Sequence, residues 1–166
     1  YLNIQGMVLA GEAIMRSGTE RQKASFLSRT LTGEILWCQL FSEPGAGSDL
    51  AGLRSRAERD GDRYLLNGQK VWSSNGQFAQ YGILLARTDA GLPKHKGISF
   101  VLIDMHLPGA ETRPLKQMTG EDEFDEVFFT DVRMPSDALL GPLNEGCGVG
   151  MTILTNERGS IGAAAI

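Results

Sequence analysis

Between Ile35 and Val132 the chain is a succession of short strand-like runs separated by turns, with no helical periodicity among them. The runs are Leu36 to Phe41, Arg54 to Arg59, Tyr64 to Asn67, Gln69 to Ser74, Ile83 to Arg87, Ile98 to Ile103, Glu111 to Leu115 and Glu126 to Asp131. Parallel neighbours need a crossover of about a dozen residues or more, usually a helix. Here the gaps are polar or Gly/Pro-rich linkers. The pattern therefore predicts an antiparallel sandwich or barrel rather than a doubly wound sheet. Asp60-Gly61-Asp62 and Asn67-Gly68 read as tight turns.

The flanks have another period. Met7, Leu9, Ala13 and Ile14 recur at helical spacing, and Gly18 ends that helix. Thr19, with Gln22 three residues on, suits a capping box opening a second helix, which Gly33 stops. From Gly146 the pattern is helical again, with Met151, Leu154 and Arg158 on one face. The last residues, Ala163 to Ile166, carry no C-cap, and the first residue is not Met. Both ends thus read as edges of a longer protein. The expected class is α+β, with an antiparallel β-barrel or sandwich over 35–139 flanked by helical fragments at 1–34 and 140–166.

Composition excludes several classes. With 42% hydrophobic and 22% charged residues the chain is ordinary globular material, not a disordered tail. A net charge of −4 argues against nucleic acid as a partner. No apolar run approaches the roughly 20 residues of a membrane-spanning helix. The two cysteines, Cys38 and Cys147, make no disulfide framework and read as small buried apolar groups in a reducing compartment. His95 and His106 stand alone, so no metal-ligand spacing is present.

Two segments carry polar chemistry. In Ser42-Glu43-Pro44-Gly45-Ala46-Gly47-Ser48-Asp49 the glycines allow backbone N–H groups to converge into an anion nest, with Ser48 as a further donor. A plain turn is the alternative. The order fits neither a Walker A loop nor a nucleophile elbow. In Trp72-Ser73-Ser74-Asn75-Gly76 an aromatic face stands beside two hydroxyls, suited to stacking on a planar ring and bonding its edge. A core Trp followed by a turn is the alternative. Lys94-His95-Lys96 is a basic loop patch, read chiefly as solvated. Gly146-Cys147-Gly148-Val149-Gly150 mimics a dinucleotide fingerprint but follows no strand, and reads as a loop and helix start.

Taken together, Gln39 to Asp49 and Asn67 to Gly76 resemble the two signature stretches of the acyl-CoA dehydrogenase family. Lys96-Gly97-Ile98-Ser99, Phe129-Thr130-Asp131-Val132-Arg133-Met134-Pro135, Asn144-Glu145-Gly146 and Glu157-Arg158 resemble its later landmarks, in order. The resemblance covers essentially the whole chain. It implies a middle β-domain that holds FAD and acyl-CoA, preceded by the end of an N-terminal helical domain and followed by the start of a C-terminal one.

The resemblance also implies roles. Gln39, Leu40, Phe41, Ser42, Gly47 and Ser48 would run along the FAD, with Ser42 on the pyrimidine edge of the isoalloxazine. Ser48 would approach the pyrophosphate and the acyl-CoA. Trp72 would pack on the flavin, and Ser73 and Ser74 would line its N5/O4 edge. Gln39 stands where many relatives carry Tyr, and Ser42 where many carry Thr, which keeps the hydroxyl. The implied reaction is α,β-dehydrogenation of an acyl-CoA thioester, with electrons passed to an electron-transferring flavoprotein. An oxidase or a flavin monooxygenase on the same fold, and a non-catalytic subunit, are the alternatives. The base is usually a glutamate beyond this chain; in a minority of relatives it stands at the position of Glu157. Arg158 and Thr155 would contact the CoA. The family further implies a homodimer or homotetramer, in the cytoplasm or, in a eukaryote, the mitochondrial matrix.

Overall fold

The computed structural model describes residues 3–163, with side chains described from 3 to 155. A π-helical turn, Gln5–Ala10, leads into α1 (Gly11–Ser17), and α2 (Glu20–Leu31) follows. Leu9, Ala13 and Ile14 are buried as their spacing predicts, but Met7 is exposed. The wider π winding explains the slip, because it shifts the face that a 3.6-residue period assigns. At α2 the capping box forms: the Thr19 hydroxyl accepts the Gln22 N–H, and the Gln22 side chain accepts the Thr19 N–H. Gln22 then donates to the carbonyls of Asp137 and Leu139, at 3.0 and 2.9 Å, fastening α2 to the far end of the β region.

The strands are β1 (Trp37–Leu40), β2 (Arg56–Asp60), β3 (Arg63–Ser74), β4 (Tyr81–Arg87), β5 (Ile98–Asp104), β6 (Ala110–Leu115), β7 (Phe124–Pro135) and β8 (Leu139–Leu140). They form one open sheet in the order β6-β7-β3-β2-β4-β5-β8, with β1 added parallel to β4. The β2–β4 link is a single parallel bridge, Arg56 with Arg87, and apart from β1–β4 the other pairings are antiparallel. Around that thin link the sheet divides into a β6-β7-β3-β2 half and a β4-β5 half, which face each other.

Strict alternation along β4 and β5 builds two cores. Leu84, Ala86, Val101 and Ile103 meet Leu66, Val127, Phe129 and Val132 of the opposite half. Ile83, Leu85, Ile98, Phe100 and Leu102 face Leu9, Ala13 and Ile14 of the helices. Both faces of β4 are therefore buried, which is why it reads as a near-continuous apolar run. The helical side is further fixed by Phe26, Trp37 and Tyr81, whose ring centroids lie 5.0–5.5 Å apart.

One expected turn is absent. The chain reverses at Gly61 and Asp62, between β2 and β3, but it does not turn at Asn67-Gly68. β3 runs straight on beside β7, and the register slips there as a bulge. The slip is held from across the ladder: Asn67 Nδ2 donates to Asp131 Oδ1, and the Asp131 N–H donates back to Asn67 Oδ1. Gly68 has φ +153°, and a Cβ on it would lie 2.2 Å from Ser55 Oγ. The glycine serves the close approach of the Ser55 segment rather than a hairpin.

Helix α3 (Gly146–Ala163) starts at the residue the sequence indicates. A Cβ on Gly146 would lie 2.2 Å from the Phe100 amide nitrogen, so the helix seats directly on β5. Ser99 Oγ accepts the Asn144 N–H at 2.9 Å, and Thr88 Oγ1 donates to Asn144 Oδ1 at 2.6 Å. Among the described residues no helix is long and apolar enough to cross a membrane.

Candidate functional site

β1 ends at Leu40, and the next residues form the Gly-rich loop. Its tip is a turn over Pro44-Gly45, closed by two bonds between the backbones of Glu43 and Ala46, at 2.8 and 3.0 Å. The loop is tied to β3 by the Val71 N–H, which donates to the Ser42 carbonyl at 3.0 Å. On β3 the register against β7 slips a second time, between Lys70 and Ser73, and within that slip Trp72 adopts φ +63°. A bulky residue in the left-handed region is a strained arrangement that surrounding structure must enforce. The bulge turns the consecutive residues Val71 and Trp72 toward the same side.

Between loop, bulge and helix lies a cleft of about 380 Å³, lined by Gln39, Phe41, Ser42, Gly47, Ser48, Leu50, Val71, Trp72, Met151 and Leu154. Gln39 and Phe41 reach it because alternate residues of an extended chain share a face. Leu40, between them, is wholly buried in the core on the other side. Phe41 forms the floor, edge-on to Phe100 at 5.8 Å. The hydroxyls of Ser42 and Ser48 have no hydrogen-bond partner among the described residues. Trp72 keeps 62% of its surface exposed and touches Phe124 edge-to-face.

Of the residues expected to meet a flavin, six gather here: Gln39, Phe41, Ser42, Gly47, Ser48 and Trp72. Leu40 offers the cleft only backbone. Ser73 is fully buried, pairs with Asp125 across β3–β7, and its hydroxyl has no hydrogen-bond partner among the described residues. Ser74 is half-buried outside the lining. Thr155, exposed on α3, donates its hydroxyl to the Met151 carbonyl. Glu157 and Arg158 fall in α3 but lie outside the residues whose side chains are described. Lys94 of the basic loop is bonded to the Asp49 carboxylate, at the end of the Gly-rich loop.

Sequence reasoning passed over the groups that hold this cleft together. Lys70, immediately before the bulge, is completely buried, and its ammonium lies 2.8 Å from Glu43 of the Gly-rich loop. It also donates to the Phe41 carbonyl at 3.2 Å. The Glu43 carboxylate accepts the N–H groups of Arg54 and Ser55, at 2.6 and 2.9 Å. Burial pushes the Lys70 amine down to about 8, against the opposing pull of the Glu43 charge. Burial alone would raise the Glu43 carboxyl; the Lys70 charge and the bonds from Lys70 and the Arg54 amide bring it below its ordinary value. Both groups are therefore charged at neutral pH. Asp125, also buried, has its carboxyl pushed up by burial while the Gln77 N–H holds one oxygen at 3.1 Å.

A larger cavity, about 690 Å³, lies between α2 and the β5–β8 edge. Its buried polar group, Gln22, already has its donors and acceptor engaged by Thr19, Asp137 and Leu139.

The family model described as acyl-CoA dehydrogenase, middle domain, matches residues 38–132. The chain is 50% identical over 149 residues to acyl-CoA dehydrogenase FadE34 of Mycobacterium tuberculosis, covering 90% of this chain and 21% of that protein. Among solved structures it superposes on an acyl-CoA dehydrogenase from Geobacillus kaustophilus with a TM-score of 0.88 and 35% identity, covering 93% of this chain and 41% of the other. A glutaryl-CoA dehydrogenase from Mycobacterium smegmatis in complex with FADH2 matches with a TM-score of 0.80 and 34% identity, over 91% and 38% of the two chains. The chain thus spans well under half the length of these relatives. With the open sheet, the bulged Trp72 and the Gly-rich loop in one cleft, it belongs to the acyl-CoA dehydrogenase family.

Proposed function

We propose that the full-length protein is an FAD-dependent dehydrogenase that introduces a double bond between the α and β carbons of an acyl-CoA thioester and passes the electrons to an electron-transferring flavoprotein. One observation carries the reading. A strained, exposed Trp72 and the unpartnered hydroxyls of Ser42 and Ser48 face one cleft, an arrangement that suits a planar ring with a polar edge. Residues 1–34, 35–139 and 140–166 are then the end of a helical domain, the cofactor-binding β-domain and the start of a second helical domain.

Bound in this cleft, FAD supplies the two-electron acceptor for the hydride leaving the β carbon. The protein's part is positioning and polarisation. Ser42 would bond the pyrimidine edge of the ring, Gly47 and Ser48 would give the loop wall and a donor to the pyrophosphate, and Trp72 would cover the ring. Gln39, Leu40 and Phe41 serve from the floor, Leu40 through its backbone alone. Ser73, with its side chain buried, and Ser74 would present their backbone to the N5/O4 edge. On α3, Thr155 and Arg158 would contact the CoA, and Glu157 would serve as the base for the α proton. A cytoplasmic homo-oligomer completes the assignment.

An anaerobic visible spectrum of the full-length protein, before and after a panel of acyl-CoAs, tests the reading. Flavin absorbance bleached by one thioester supports it. Oxygen consumption during turnover would instead indicate an oxidase or monooxygenase, and bound flavin that never bleaches a non-catalytic subunit. Absence of flavin after adding FAD would overturn the reading. Retention of wild-type bleaching in Glu157→Gln would remove Glu157 as the base.

A further inference from the structure

We infer that the buried ion pair of Lys70 and Glu43 is a positioning device for the cleft: it clamps the Gly-rich loop to the bulge of β3, so that Ser42 and Ser48 stay opposite Trp72. The inference rests on the proposed FAD reading for its functional consequence, but the clamp itself can be observed without flavin.

The pair sits at the joint between the two walls. Glu43 follows Ser42 directly, and Lys70 is separated from Trp72 only by Val71. Each partner also holds backbone from a different segment. The ammonium takes the Phe41 carbonyl, where β1 gives way to the loop, and the carboxylate takes the N–H groups of Arg54 and Ser55 on the approach to β2. Five groups from three stretches of chain thus converge on one 2.8 Å contact. The direct backbone tie between the walls, Val71 N–H to the Ser42 carbonyl, fixes their distance. It leaves the loop free to pivot, and the ion pair with its satellite bonds removes that freedom.

Stability alone is a poor reason for this arrangement. Both side chains are removed from water, at 0% and 7% exposure, and a well-packed apolar pair of similar volume often stabilises a fold as much or more. What an apolar pair cannot supply is directional hold on the Phe41 carbonyl and the Arg54 and Ser55 amides. Loop orientation, rather than cohesion, is the property that needs charge here.

The test uses the full-length protein and the double variant Glu43→Leu with Lys70→Met. It reads three quantities: the thermal midpoint of the flavin-free protein, amide hydrogen exchange over residues 42–48 in that same form, and the Kd for FAD by fluorescence quenching. The expected result is an unchanged or raised midpoint, faster exchange confined to the loop, and FAD binding weakened by about tenfold or more, the size of one lost charge-assisted hydrogen bond. If the double variant does not fold, Glu43→Gln removes the charge while keeping an acceptor oxygen, and the same exchange and Kd changes are expected at smaller amplitude. Lys70→Arg, which keeps a cation at the site, should recover part of the FAD affinity. Unchanged loop exchange would overturn the clamp. Faster exchange with unchanged Kd would leave a loop latch with no bearing on the cofactor and overturn the positioning role. A wild-type protein that binds no FAD would defeat the cofactor reading, while the exchange result still decides whether the clamp exists.

Discussion

The same pair gives the fold a pH dependence whose sign distinguishes a buried ion pair from a surface one. The amine of Lys70 titrates near 8 in the folded protein and near its ordinary 10.5 when unfolded. Between those values the unfolded chain holds a proton that the folded one has released, so stability rises with pH across this window. The contribution is fully present above 10.5 and is lost as pH falls through 8. A difference of about 2.5 pH units corresponds to about 3 kcal/mol. For Glu43 the folded carboxyl lies below its ordinary value, so its contribution is present above pH 4.5 and is lost as pH falls through the folded value. The double variant Glu43→Leu with Lys70→Met lacks both groups and isolates their titration. Urea unfolding of wild type and variant, flavin-free, at intervals from pH 6 to 10.5, should give a stability difference that turns upward in favour of wild type above pH 8, by about 3 kcal/mol in total. A flat difference would mean that Lys70 is hydrated in both states. A difference that falls above pH 8 would mean that the ammonium is held more firmly than in water. Either result would refute the reasoning from burial.

Trp72→Ala should weaken FAD binding about tenfold or more while leaving flavin-free stability nearly unchanged, because the ring is 62% exposed and has one aromatic neighbour; a large loss of stability with unchanged FAD affinity would make it a packing residue. Gly68→Ala should lower the thermal midpoint by the equivalent of about 1–3 kcal/mol, since its Cβ would meet Ser55 Oγ at 2.2 Å and Ser55 Cα at 2.7 Å; an unaffected midpoint would mean that the Ser55 segment gives way freely. Cys38 should be inert to a thiol reagent at pH 8 until the protein unfolds, because burial, with the nearby Asp125 charge adding to it, pushes its thiol up to about 12. Native-state labelling of Cys38 at the rate of a free thiol would contradict that burial.

What could be read from the sequence, and what could not, divides at the bulges. Runs such as Ile83 to Arg87 and Ile98 to Ile103 declared themselves because both of their faces are buried, and the Thr19–Gln22 cap because its two partners are three residues apart. Asn67-Gly68 has the same dipeptide as a hairpin turn; what makes it a bulge is Ser55 on one side and Asp131 on the other, both remote in sequence. The cleft followed the same rule. The resemblance put Gln39, Leu40 and Phe41 along the cofactor together; period-two alternation along the strand is what separates them, with Gln39 and Phe41 on the cleft and Leu40 turned into the core. Lys70 was concealed by its residue type rather than by its position, since it shares the parity of Tyr64 and Leu66. A lysine in a strand is ordinarily assigned to the solvent face, and its partner stands 27 residues earlier in a loop that reads as a simple turn. Lys70 keeps the parity of the buried Tyr64 and Leu66 and so lies inside, and the register slip that follows it, between Lys70 and Ser73, turns Trp72 outward, an inversion of what hydrophobicity alone would choose for either residue. A sequence in which local preference is overruled twice within three residues is spending stability on geometry, and such conflicts are expected where a fold holds a site rather than a core. The inverted pair of Lys70 and Trp72 is therefore the part of this chain where substitution should separate folding from cofactor binding most cleanly.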